Sequence, residues 1–193
     1  RFGQTYSGEL GIFSGEAQHI WKPAGTGQQF IVGLRGQGGE VRADSSIFRS
    51  LTIFPLLGLT NGVRQAGAED FHRLSAYGYW YSEPVEPLRL FGGVTYDHVQ
   101  LPVNLEFAPI ASGERTEEKL SPKAGFILNL ARDTWLRGMY SRSLGGLYFD
   151  SSARLEPAQL AGFAQGFRSA IPESEAGSLP GAAFETAAVG IDQ

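Results

Sequence analysis

The chain has 193 residues, 16 of them basic and 20 acidic, and its formal net charge of −4 argues against a general nucleic-acid binder. It contains no cysteine, which excludes disulfides, thiolate chemistry and cysteine-ligated metal centres. Its 26 glycines, 13 Phe, 7 Tyr and 3 Trp suit a turn-rich, aromatic β protein; with a mean hydropathy of −0.14 and no apolar run of about 18 residues, no helix spans a membrane.

Seven strands are predicted in chain order. The first runs from about Gly11 to Trp21, with Phe13, Ala17, His19 and Trp21 on one side. A turn cluster at residues 22–27 leads into the second, about Gln28 to Gln37. There Phe30, Val32 and Leu34 share one face and Gln29, Gly33, Arg35 and Gln37 the other, with Ile31 out of pattern. Residues 38–69 read as a long insertion holding an apolar patch at 51–59, where Pro55 opposes a central strand. The third strand, about Phe71 to Ser82, sets Tyr77, Tyr79 and Tyr81 against Leu74, Ala76, Gly78 and Trp80. After a Pro-containing turn at 83–87, the fourth sets Leu88, Leu90, Gly92, Val94 and Tyr96 against Arg89, Phe91, Gly93, Thr95 and Asp97. Residues 100–119 read as a second long loop. The fifth strand, about Leu120 to Leu130, opposes Ala124, Phe126, Leu128 and Leu130 to Lys123, Gly125 and Asn129. A tight turn at 131–134 leads to the sixth, about Trp135 to Arg142, which opposes Leu136, Gly138 and Tyr140 to Arg137, Met139 and Ser141. Residues 143–183 read as a third long loop. Within it Leu160, Phe163, Ala164, Phe167, Ala170 and Ile171 recur at helical spacing between Pro157 and Pro172, predicting a short amphipathic helix from about Glu156 to Ile171. The seventh strand begins near Phe184.

Strands of this length, with one apolar and one mixed face, match what a tilted strand needs to cross a bilayer. The connections alternate between short and long, as in barrels whose short turns are periplasmic and long loops extracellular. The predicted fold class is all-β: an antiparallel up-and-down transmembrane β-barrel segment of about seven strands, one domain over residues 1–193, with long extracellular loops, one containing the helix. The oily side chains, Leu88, Leu90, Val94, Phe126 and Leu136 among them, are expected to look outward at hydrocarbon. Both ends of the chain read as cuts, so a fragment is expected.

Particular stretches resemble a family. Ser75-Ala76-Tyr77-Gly78-Tyr79-Trp80, a Pro-containing turn and Leu88-Arg89-Leu90-Phe91-Gly92-Gly93-Val94-Thr95-Tyr96-Asp97 resemble the C-terminal barrel of TonB-dependent outer-membrane receptors. The next hairpin is similar too, with Ser121-Pro122-Lys123-Ala124-Gly125 followed by Tyr140-Ser141-Arg142-Ser143, and Phe184-Glu185-Thr186 stands where these receptors often carry a Glu-Thr pair. The likeness covers residues 70–145 well and the rest in outline. It implies an active importer of a scarce nutrient, often a metal chelate or glycan, located in the bacterial outer membrane. Its plug domain, TonB box and closing strands are expected outside this sequence. The implied partners are membrane lipid, a small solute and, through those other regions, a TonB-type energy-coupling protein; no nucleic acid is expected.

No reactive constellation stands out. His19, His72 and His98 lack metal-ligand spacing, the Gly33–Gly39 run lacks a Gly-Lys-Ser/Thr ending, and no Gly-x-Ser-x-Gly elbow occurs. No metal, cofactor or enzymatic activity is expected. Asp97, Glu106, Asp150 and Glu156 stand at loop edges, but only their separation in space would define a hydrolytic pair. Arg35, Arg89, Lys123 and Arg137 are lumen-facing candidates. They read either as a positive strip that contacts a plug or an anionic solute, or as interior charges paired across strands. Trp21, Trp80 and Trp135 sit beside short turns, where either an interfacial aromatic girdle or core packing accounts for them. Phe163 and Phe167, on the predicted helix, are loop contact candidates. Two other readings fit the same pattern: a non-transport surface barrel acting as adhesin or scaffold, and a soluble β-sandwich that binds carbohydrate.

Overall fold

Alternation extends further along the chain than its apolar residues indicate. The computed structural model describes residues 2–49, 62–104, 110–144, 154–165 and 183–193. Its strands are β1 (Phe2–Trp21), β2 (Gln28–Arg49), β3 (Gly62–Val85), β4 (Leu88–Asn104), β5 (Ala111–Ala131), β6 (Thr134–Leu144), β7 (Gln159–Leu160), β8 (Phe163–Ala164) and β9 (Ala183–Asp192). Seven of them form one sheet in the order β1-β2-β3-β4-β5-β6-β9, while β7 and β8 pair separately. The described residues are all-β, an antiparallel up-and-down sheet in which β1 to β6 follow one another in chain order and β9 joins β6. Strands β1 and β9 end the sheet, which is not closed among the described residues.

Two expectations are corrected. The long insertions at 38–69 and 100–119 are largely strand: β2 continues to Arg49, β3 starts at Gly62 and β5 starts at Ala111. These stretches alternate small, polar and charged residues, so they lack the apolar stripe that marks a strand in sequence. Cross-strand polar pairs take its place; Arg64 of β3 grips Asp44 of β2 through two guanidinium nitrogens, the shorter contact being 2.6 Å. The apolar patch 51–59 lies outside the described residues.

The predicted helix is also absent from the part of its span that is described. Residues 156–165 hold the β7–β8 hairpin, in which Leu160 pairs with Phe163 across Ala161 and Gly162. Both turn residues have positive φ (51° and 83°), the geometry of a type I′ hairpin turn. A three-residue spacing of apolar side chains is a helical signature, but it also separates the residues flanking a two-residue turn. Gly162, which accepts positive φ without strain, favours the turn.

Contacts divide the chain into two compact units. One comprises Arg1–Ser14, Gln37–His72 and Gln100–Thr116. In it Ala43, Phe71 and Leu101 are buried, and the side chains of Gln65 and Glu69 accept hydrogen bonds from the amides of Ile110 and Gly113 at 3.0 and 2.9 Å. The other comprises Gly15–Gly36, Arg73–Val99 and Glu117–Gln193 and carries the site. Its short turns lie side by side: Glu83 donates to Gly27 at 3.1 Å and Asn129 to Pro87 at 2.7 Å.

Register in this second unit sorts the side chains into two faces. Rows Ala124–Tyr140–Ala187, Phe126–Gly138–Val189 and Leu128–Leu136–Ile191 cross β5, β6 and β9 on one face. Rows Lys123–Ser141–Thr186, Gly125–Met139–Ala188 and Ile127–Arg137–Gly190 cross on the other. The first face is apolar and open, with Val189, Ile191, Leu120, Val94, Val32 and Leu34 all exposed. Leu88, Leu90, Phe126 and Leu136 are half-buried and keep part of their surface accessible.

Candidate functional site

The opposite face of the second unit is polar and buried. It takes Arg35 from β2, Arg73, Ser75, Tyr77 and Tyr79 from β3, Thr95 and Asp97 from β4, Ser121 and Lys123 from β5, and Met139 and Ser141 from β6. Their even-numbered neighbours Leu34, Leu74, Trp80, Val94 and Tyr140 are exposed. This inverts the usual arrangement, in which charges face outward and apolar side chains inward.

Two buried charge networks occupy the face. In the first, Arg73 donates through Nε (3.0 Å) and Nη2 (2.7 Å) to Asp97 Oδ1, which also accepts from Ser75 Oγ at 2.5 Å. The second network ties the sheet to residues 154–165, which lie across it as a strap. Glu156 Oε1 accepts from Tyr79 Oη at 2.6 Å, Thr95 Oγ1 at 2.8 Å and Lys123 Nζ at 2.8 Å. Lys123 also donates to the Tyr79 hydroxyl at 2.6 Å, and Arg154 pairs with Glu156 Oε2. The side chains of Lys123 and Glu156 are each 1% exposed. Burial pushes the Glu156 carboxyl up, but the charges of Lys123 and Arg154 and the hydrogen bonds from Lys123 and Tyr79 outweigh it, bringing its pKa down to about 2.

The strap is held at both ends. Glu16 of β1 accepts from the amides of Leu155 (2.9 Å) and Glu156 (3.1 Å), and Tyr77 donates to the same carboxylate at 2.7 Å. Gln18 donates to the Leu155 carbonyl at 2.7 Å. Farther along, Gln165 donates to the Tyr79 hydroxyl at 3.2 Å and to the Pro157 carbonyl at 2.7 Å. The tip of the hairpin, Leu160 and Ala161, completes a small core with Ile31, Tyr77, Tyr79 and Met139. Gly125 makes room for it, since a Cβ there would fall 3.1 Å from the Ala161 Cβ and 3.4 Å from Leu160.

By strand alternation all four basic candidates fall on this face, Arg89 together with Phe91, Thr95 and Asp97. Arg35 is buried, and Lys123 is the centre of the strap network. Arg137 is half-buried, bonded to Asp192 at 2.7 Å, with its guanidinium 5.1 Å from the Phe163 ring centre. Arg89 is not brought to the cluster; it is exposed near the short turn and paired with Glu83 at 2.8 Å. Trp21, Trp80 and Trp135 are all exposed. Trp21 stacks on Phe30 at 5.3 Å, and Trp80 donates to Gln28 at 3.4 Å. Phe163 packs against the core, whereas Phe167, Glu106 and Asp150 lie outside the described residues. Among the described residues no group of three or more acidic, histidine or cysteine side chains could hold a metal ion.

The sequence marks Glu156 as a loop-edge carboxylate and as the start of the predicted helix, and assigns Tyr79, Thr95 and Glu16 no role. The alternation of Tyr77, Tyr79 and Tyr81 was visible in the sequence. The partners of Glu16, about 60 and 140 positions away, left no local signal there. No family model matches this sequence, and neither a curated protein nor a solved structure matches it.

Proposed function

We propose that this chain is a wall segment of an outer-membrane β-barrel receptor or importer of the TonB-dependent kind, with its apolar face against lipid and its polar face toward an aqueous interior that receives a small solute. The observation that carries the reading is the inversion of the second unit: buried Arg73, Asp97, Lys123 and Glu156 on one face, exposed Val32, Leu34, Leu74, Val94 and Val189 on the other. Lipid-facing walls alternate in this sense. Strands β1 to β5 run 17 to 24 residues, more than the roughly 9–11 that a tilted strand needs to cross a bilayer. The carbohydrate-binding sandwich fits less well. A sandwich covers its apolar face with a second sheet, and among the described residues the only other sheet is the β7–β8 hairpin, whose tip packs on the polar side.

Val94→Arg tests the orientation. Val94 is 42% exposed at the middle of the apolar face. Against hydrocarbon the arginine costs about 2–4 kcal/mol, whereas at a solvated surface the change stays within about 0.5 kcal/mol. Denaturant unfolding of the chain refolded into lipid vesicles measures the difference. A cost near zero rejects the membrane reading.

A further inference from the structure

The strap network has a property that a plain structural ion pair lacks: the sheet supplies one half of it complete. Tyr79, Thr95 and Lys123 come from three adjacent strands, β3, β4 and β5, and all three donate to a single carboxylate oxygen, Glu156 Oε1. The other carboxylate oxygen is met by Arg154, which belongs to the strap. If the strap lifts away, it removes its own acid and its own base together. Of the carboxylates that remain on the sheet, Asp97 stays bonded to Arg73 and Ser75 and Glu16 to Tyr77. What is left on the sheet is a lysine and two hydroxyl donors, carried by three adjacent strands and converging on one point.

We propose that Lys123, Tyr79 and Thr95 form a carboxylate-binding socket on the polar face, and that Glu156 is its built-in occupant, so that the strap and a solute carboxylate compete for the same three donors. One cation with two hydroxyls matches a singly charged carboxylate; phosphate, which carries more charge, calls for further cations. The strap also shows what the rest of the ligand resembles. Behind Glu156 it inserts Leu160 and Ala161 among Ile31, Tyr77, Tyr79 and Met139, and the aromatic row continues through Tyr81 to Phe91, with ring centres 6.5 and 5.4 Å apart. The ligand class is therefore a small carboxylate on an apolar or aromatic body. The inference rests on the receptor reading only in that an aqueous interior lets such a solute reach the socket.

The test is equilibrium binding of labelled benzoate to the full chain refolded into vesicles, with benzamide and inorganic phosphate as competitors. Glu156→Gln keeps the size of the occupant and removes its charge. Because a docked strap lowers apparent affinity by the fraction of time it leaves the socket free, Glu156→Gln binds benzoate about tenfold tighter or more. Benzamide and phosphate do not displace the benzoate, and adding Lys123→Gln abolishes the gain. Equal binding by wild type and Glu156→Gln overturns the proposal, as does a gain that survives Lys123→Gln.

A disulfide lock guards against a folding artefact. A Cβ at position 125 falls 3.1 Å from that of Ala161, so the hairpin tip has to give by a few tenths of an ångström to reach the roughly 3.5–4.5 Å that a disulfide spans, and the chain has no native cysteine to interfere. In Gly125→Cys/Ala161→Cys, oxidation suppresses benzoate binding and reduction restores it; binding indifferent to the lock also overturns the proposal. The two readings fail separately. A Val94→Arg cost near zero together with benzoate competition removes the membrane and leaves the socket. A full Val94→Arg cost without competition removes the socket alone.

Discussion

Lys123→Met tests whether the buried charge pair holds the strap. The substitution removes the only lysine facing Glu156 and leaves that carboxylate with Arg154, Tyr79 and Thr95. Both side chains of the original pair are 1% exposed, so water does not replace the lost partner while the strap stays docked. Breaking a buried pair from one side costs about 3–5 kcal/mol. That cost falls on the docked state, while the sheet keeps its backbone ladder. The amides of Leu155 and Glu156, bonded to Glu16 at 2.9 and 3.1 Å, report docking directly. At about 1.36 kcal/mol per decade, their exchange with deuterium accelerates by roughly two to four orders of magnitude. Mass spectrometry of peptides covering residues 154–165 measures this, with β6, paired on both sides, as internal reference. The triple variant Lys123→Met/Arg154→Met/Glu156→Leu restores most of the protection, because a buried charge network exchanged whole for apolar residues is close to neutral, whereas removing Glu156 without Arg154 strands a buried guanidinium. Exchange in Lys123→Met within about threefold of wild type refutes the reasoning, as does a triple variant no better protected than the single.

Acid should loosen the strap in a defined window. The Glu156 pKa is lowered from its usual 4.5 to about 2 by folding, so its contribution to docking is complete above 4.5 and is lost as pH falls from there through 2. Pepsin, active across that window, cuts the 154–165 segment progressively faster in wild type than in Glu156→Gln, which shows only the protease's own pH dependence. Gly125→Val pushes a side chain against Ala161 and Leu160 and costs the docked strap about 1–3 kcal/mol, read as faster exchange over residues 154–165 with the sheet intact. Gly162→Ala places a Cβ on the Arg137 guanidinium at a backbone φ of +83°, and weakens docking by about 1–3 kcal/mol on the same readout.

The sequence reveals faces more readily than lengths or partners. Tyr77, Tyr79 and Tyr81 against Leu74 and Trp80, or Phe126 and Leu128 against Lys123 and Gly125, show period two plainly, and the register places them as the period requires. Ile31 breaks the pattern only by polarity; it is buried in the small core beneath the strap. The outer halves of β2, β3 and β5 look like loops in the sequence because Glu40, Arg42, Asp44 and Arg64 carry no apolar stripe, and their alternation emerges only once Arg64 meets Asp44 across the ladder. The strap escaped for a different reason. Leu160 and Phe163 satisfy a helical spacing and a hairpin spacing equally, and the choice rests on Gly162 together with contacts to Gly125 and Arg137 that are remote in sequence. Glu156 could be noticed as a carboxylate, but its role depends on Lys123, Tyr79 and Thr95, whose convergence is a property of the folded sheet.

The most direct test of the membrane reading is tryptophan quenching by brominated lipid. Trp80 lies on the apolar face and is 37% exposed. In a chain retaining Trp80 alone, with Trp21 and Trp135 replaced by Phe and the protein refolded into vesicles, the account predicts strong quenching by lipid brominated along the acyl chain and little by iodide in the water. Quenching by iodide with none from the brominated lipid would put that face in solvent and contradict the account.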